Sequence, residues 1–142
     1  MTHQEMWQAF SLERGIEAYY EAWAFGADAD ELSHLVLNGL KTATSSLLRL
    51  YEQEGCDLPR EGQYSVVLDS AEKAVCIIRT TKVYTLPFMQ VTADHAWKEG
   101  EGDRSLAYWR RVHAEFFSTE LGDQAFDPSM DVVCEEFLRV YP

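Results

Sequence analysis

The chain has 142 residues, with 24 Asp+Glu against 12 Lys+Arg and a formal net charge of −12. That length suits one domain whose core holds without disulfide or metal staples, and an aromatic content of 13% excludes a disordered acidic tail. The charge disfavours phosphate-led binding of duplex DNA or long RNA unless the few basic residues are gathered in one place.

Residues 1–20 hold no basic segment followed by an apolar run, so no secretory signal is expected. No run of about 18 apolar residues predicts a transmembrane helix. Cys56, Cys76 and Cys134 are odd in number and far apart, which argues against a disulfide framework and a zinc knuckle. Cys76 and Cys134 fall in β-like runs and read as buried thiols, so a cytoplasmic location is expected.

The first third reads as helical. Thr2-His3-Gln4-Glu5 is a capping box, and Trp7, Phe10, Ile16, Tyr19 and Trp23 follow at helical spacing. Residues 1–27 therefore read as a helical N-terminal extension packed on a single domain spanning 1–142. Asp28 with Glu31 starts another helix through Leu32, Leu35 and Val36, and Gly39 stops it. The period then changes. Gln63–Asp69 and Val75–Tyr84 are β-rich, and Ser70-Ala71-Glu72-Lys73 between them predicts a hairpin. Pro87 ends the second strand. Asp103 is expected to cap a helix carrying Leu106, Trp109, Val112 or His113, and Phe116, and Met130–Val140 reads as a last, central strand. Helices, strands, helix, strand is an α+β order with a small, mostly antiparallel sheet or barrel.

Two segments could carry chemistry. Gly39-Leu40-Lys41-Thr42-Ala43-Thr44-Ser45-Ser46 sets one lysine beside four hydroxyls. A threonine becomes a nucleophile only with a base within reach, and a lysine becomes a base only if it is desolvated or crowded by another cation. Side chains three apart face opposite sides of a straight strand, so Lys41 and Thr44 need a bend to cooperate. Asp94-His95-Ala96-Trp97-Lys98-Glu99-Gly100-Glu101-Gly102-Asp103 reads as a loop of concentrated negative charge. It could bind Mg²⁺ or Ca²⁺ through oxygens, supply a single catalytic acid, or form a solvated helix start. No P-loop, G-x-S-x-G elbow or H-E-x-x-H pair is present.

Taken together, Tyr20-Glu21-Ala22-Trp23-Ala24-Phe25-Gly26, Gly39 to Thr44, Val75-Cys76-Ile77-Ile78-Arg79-Thr80, His95-Ala96-x-x-Glu99-Gly100-Glu101-Gly102-Asp103 and Val133-Cys134-Glu135-x-Phe137 resemble the ASCH domain family over nearly the whole chain. The resemblance implies a PUA-like fold: a small β-barrel with helices around it and a cleft bordered by the G-x-K turn. Related members include amidohydrolases of N4-acetylcytidine, whose active residues are a Lys, a Thr three later and a Glu in an H-A-x-x-E segment. On this sequence those are Lys41, Thr44 and Glu99. The chain departs from these members in a longer N-terminus and in Ser46, where they carry a basic residue.

The resemblance implies an amidohydrolase acting on a nucleoside-like or other small amide, with no cofactor or metal, no membrane and no DNA partner. Lys41 would take the Thr44 proton, and Glu99 would orient Lys41 and protonate the leaving amine. Ser45, Arg79, Tyr64 and Trp97 are the expected substrate contacts. The alternatives are a non-catalytic RNA or nucleotide module, with Lys41 and Arg79 on phosphate and an aromatic on a base, and a metal-assisted ribonuclease using Glu99, Glu101 and Asp103. A small, deep pocket would favour amide hydrolysis, and a long basic groove would favour RNA.

Overall fold

The computed structural model describes residues 1–142 throughout. Helix α1 (His3–Arg14) starts on the expected capping box, with Thr2 accepting from the Glu5 amide. Gly15, left-handed at φ 63°, ends it. Met6 and Phe10 on its buried face join Val66, Leu68 and Ile77 in one core cluster.

The helical reading of Tyr19 and Trp23 does not hold, because the next element is strand β1 (Tyr20–Ala24). Here the side chains alternate with the period of a strand. Tyr20 and Ala22 pack toward α1, with Tyr20 stacked on Trp7 at 4.5 Å, while Glu21 and Trp23 face a cavity. Helix α2 (Ala29–Leu37) begins after Asp28, but Asp28 is left-handed at φ 48° and makes no capping bond. Strand β2 (Ala43–Leu47) runs directly into helix α3 (Leu48–Glu54), and β3 (Tyr64–Leu68) and β4 (Ala74–Pro87) form the expected hairpin.

A short 3-10 turn (Phe88–Gln90) leads to α4 (Ala93–Glu99). The acidic segment read as a loop is thus half helix, started by Thr92, whose side chain accepts from the His95 amide. Helix α5 (Leu106–Leu121) is capped by Ser105 rather than Asp103; the Asp103 carboxylate instead accepts from the Ser105 amide. Strand β5 (Asp131–Tyr141) closes the chain.

The five strands form one curled sheet in the order β1-β3-β4-β5-β2, a half-barrel in which only β1 and β3 run parallel. Strand β5 is interior, as expected. The α4 and α5 side holds the largest core cluster, with Trp109, Phe117, Phe88 and Leu47. A third cluster, including Val36 and Phe137, lies under α2. The two edge strands, β1 and β2, both contribute to one cavity, so the site occupies the gap between the sheet's two edges. Cys76 and Cys134 are buried and free, and burial pushes both thiols up to about 12. No helix is long and apolar enough to cross a membrane.

Candidate active site

Glu99 is the last residue of α4, and the chain reverses just beyond it at Gly100, left-handed at φ 74°. A Cβ on Gly100 would be driven into the Leu40 carbonyl, so only glycine lets the end of α4 lie this close to the stretch before β2. Main-chain bonds fix that approach. The Thr42 amide donates to the Lys98 carbonyl at 2.7 Å, and the Phe137 amide donates to the Thr42 carbonyl at 3.0 Å. Lys41 is thereby carried inside, 1% exposed, against Glu99, also 1% exposed.

Lys41 Nζ donates to Glu99 Oε1 at 3.2 Å, to the Glu99 carbonyl at 3.4 Å and to Glu101 Oε2 at 2.9 Å. The face of Phe25 covers it at 5.3 Å. Glu99 Oε2 accepts from Ser45 Oγ at 2.7 Å, His95 Nε2 at 2.8 Å and Trp109 Nε1 at 2.5 Å. Its Oε1 faces His113 Nε2 at 3.4 Å. Burial pushes the Glu99 carboxyl up, but the Lys41 charge and the His113 and His95 hydrogen bonds outweigh it and hold the group well below the usual range.

His113 stacks on Trp109 at 4.3 Å, and its Nδ1 lies 2.9 Å from the Trp109 carbonyl. Both ring nitrogens therefore face acceptors, an arrangement that suits the imidazolium. Burial lowers its pKa, but the Glu99 hydrogen bond and charge more than reverse this and leave it raised. Two carboxylates, one ammonium and one imidazolium thus balance inside the wall of the site.

The cavity measures about 760 Å³, the size of a small-molecule site. Lys41, Thr44, Ser45 and Glu99 all line it. Lys41 and Ser45 converge on Glu99, whereas the Thr44 hydroxyl makes no protein hydrogen bond and Thr44 stands opposite Glu135 across the β2–β5 pair. Three expected substrate contacts lie elsewhere. Tyr64 and Arg79 are register partners on the far face of β3 and β4, where the Arg79 guanidinium sits 5.3 Å over the Tyr64 ring and that ring packs on Trp7 and Phe10. Alternation along β3 turns Ser65, not Tyr64, into the cavity. Trp97 points outward on α4, 56% exposed beneath the Arg104 guanidinium at 3.8 Å.

The lining includes Glu21, Asp28, Asp57, Glu61, Glu99, Glu101, Glu120 and Glu135, against Lys41, Arg60 and His113. Glu99, Glu101 and His113 bring one potential metal ligand each within 4.8 Å of one another. Lys41 Nζ bonds to both of those carboxylates, so a cation already sits at this point, and Asp103 lies outside the group. Sequence reasoning missed His113 and Glu135 as site residues. His113 lies four residues from Trp109 on α5, a spacing that had marked the position only as core.

A half-barrel sheet flanked by helices, with a buried Lys–Glu pair in the wall of its cavity, defines the class: an α+β domain of PUA-like architecture. The ASCH domain family matches residues 21–141, and the chain belongs to it. An ASCH domain from Lactobacillus crispatus is similar at 35% identity and a TM-score of 0.88, over 98% of this chain and 94% of that one. A protein from Enterococcus faecalis is similar at 35% identity and a TM-score of 0.88, over 97% and 87%. A hypothetical protein at 13% identity and a TM-score of 0.57, over 86% of this chain and all of the other, shares the fold. No curated protein sequence matches the chain.

Proposed function

We propose that this protein is an amidohydrolase that removes the acyl group from an N4-acetylcytidine-like nucleoside or a comparable small amide, through Lys41, Thr44 and Glu99. The observation that carries this reading is that Glu99, 58 residues from Lys41 in sequence, shares one cavity with Lys41 and Thr44 and lies 3.2 Å from Lys41 Nζ.

As substrate enters, Lys41 passes a proton along its hydrogen bond to Glu101, whose side chain is 16% exposed, and takes it back when the products leave. Neutral Lys41 takes the Thr44 proton as the Thr44 oxygen forms a bond to the acyl carbon. The C–N bond then breaks, and the departing nitrogen takes that proton from Lys41. Water, deprotonated by Lys41, cleaves the ester, and the proton returns to the Thr44 oxygen as the acid leaves. Glu99 stays ionised throughout. A carboxylate held well below its usual range by the Lys41 charge and the His113 and His95 hydrogen bonds has no proton to give, so it holds Lys41 in place and Lys41 protonates the amine. Because β2 is an edge strand, alternate amides are unpaired in the sheet and available to an oxyanion, each worth roughly 3–4 kcal/mol when well placed.

A panel of N4-acylated cytosines and cytidines, followed by the ultraviolet shift on deacylation, tests this. Turnover by the wild type, with a loss of about 10²-fold or more in Lys41→Ala and Thr44→Ala, is the expected result. Full activity in Lys41→Ala would sink the mechanism.

A further inference from the structure

Glu135 is a buried acid of the cavity that the reaction above does not use. It lies on β5 directly across from Thr44 and is 9% exposed. Thr80 Oγ1 donates to its Oε2 at 2.6 Å, and its Oε1 receives no protein hydrogen bond. No fully buried polar side-chain atom lacks a partner anywhere in the molecule, so this open oxygen is reached from the cavity.

A carboxylate at this depth is costly unless a donor or a positive charge meets it. The buried cations of the cavity are engaged elsewhere, Lys41 by Glu99 and Glu101 and His113 by Glu99, and Arg60 lies at the exposed rim beside Asp57. Burial raises the Glu135 pKa and the charge of Glu21 adds to the rise, while the Thr80 bond opposes it, so no partner inside the protein neutralises the group. A ligand that displaces cavity water from this oxygen has to bring a donor in its place. A phosphorylated ligand would bring a further negative charge into a wall that is already acidic.

We propose that Glu135 is the specificity-determining residue of the cavity: its open oxygen receives an N–H of the substrate beside the group presented to Thr44, so that neutral or cationic, nitrogen-rich compounds are admitted and phosphorylated ones refused. This rests on the amidohydrolase reading only for where the scissile bond lies. Recognition is a binding event, and it is measured without turnover.

The test is titration calorimetry of wild type, Glu135→Leu and Glu135→Gln at about pH 8, well above the ordinary carboxylate range. The probes are cytidine, uridine and cytidine 5′-monophosphate. Cytidine offers an exocyclic amino donor where uridine offers a carbonyl. The wild type binds cytidine roughly tenfold or more tighter than uridine, the size of one charge-assisted hydrogen bond, and prefers cytidine to its monophosphate. Glu135→Leu brings cytidine and uridine to within about threefold, since only the donor-reading oxygen has gone. Glu135→Gln keeps an acceptor oxygen and retains part of the preference, which serves as the readout if the leucine variant does not fold. An unchanged cytidine-to-uridine ratio in Glu135→Leu (or in Glu135→Gln, should it alone fold) overturns the proposal. So does a wild type that favours uridine, binds the monophosphate as tightly as cytidine, or binds none of the three. Failure of the amidohydrolase reading shows separately, as absence of turnover in a protein that still discriminates these ligands.

Discussion

At Glu99 a carboxylate gives up its water and receives Lys41, His113, Ser45, His95 and Trp109 in exchange. Glu99→Gln removes the charge that matches Lys41 and turns an amide N–H toward donors that cannot accept it. Breaking one side of a buried pair in this way costs about 3–5 kcal/mol, and urea denaturation of the variant will show it. The same contacts set the pH profile. The folded pKa of Glu99 is lowered, so its contribution is present above the unfolded value of 4.5 and is lost as pH falls through the folded value. The folded pKa of His113 is raised, so its contribution is complete below 6.5 and is lost as pH rises through the folded value. The contribution of these two groups therefore climbs from the acid side to about pH 5 and falls again above about pH 6.5, and the raised carboxyls of Glu135 and Glu120 oppose the climb above 4.5. Urea titrations across that range should show His113→Gln flattening the alkaline fall while leaving the acid limb. An alkaline limb that persists unchanged in His113→Gln would remove His113 as its source.

The element that delivers this chemistry is the junction of α4 with the start of β2, and Gly100 is its hinge point. Gly100→Ala adds a Cβ against the Leu40 carbonyl and forces a non-glycine residue to φ 74°. The left-handed conformation alone costs about 1–2 kcal/mol, and the clash adds to it by pushing α4 away from Lys41. A lowered melting temperature and a loss of turnover larger than the stability change explains are the expected outcomes. Wild-type turnover in Gly100→Ala would show that the close approach is dispensable. This junction was legible in the sequence only in part. Lys41, Thr44 and Glu99 stood out because a family pattern linked them, and Gly39 and Gly100 marked the turns. That Lys41 and Ser45, rather than Lys41 and Thr44, converge on Glu99 depends on the path of the chain into β2. Strand β1 was hidden because Tyr19 and Trp23 are four apart, a helical interval, while its true partner β3 lies more than forty residues on. Glu135 was hidden for the same reason: its place beside Thr44 is set by the β2–β5 register, a distance along the chain that no local period records.

For the molecule as a whole, the surplus of 12 negative charges has a position. Eight carboxylates line the cavity against Lys41, Arg60 and His113, and the Lys41 charge is consumed by Glu99 and Glu101. Arg79, the other cation assigned to phosphate in the RNA reading, lies on a different face of the sheet over Tyr64. The cavity lining offers no linked track of basic residues along which a phosphate backbone could release counterions, and nucleic-acid affinity depends on that release. Single-stranded RNA should therefore show no binding at physiological salt tighter than about 10⁻⁴ M, the weak end of non-specific association. Lowering the salt should not rescue it, because reduced screening strengthens the repulsion from the acidic wall as much as any attraction to isolated arginines. Fluorescence anisotropy of a labelled oligonucleotide across a salt series checks this directly. Micromolar binding that weakens steeply as salt rises would mean that a basic surface forms elsewhere on the molecule, and the RNA-binding reading would then displace the small-amide one.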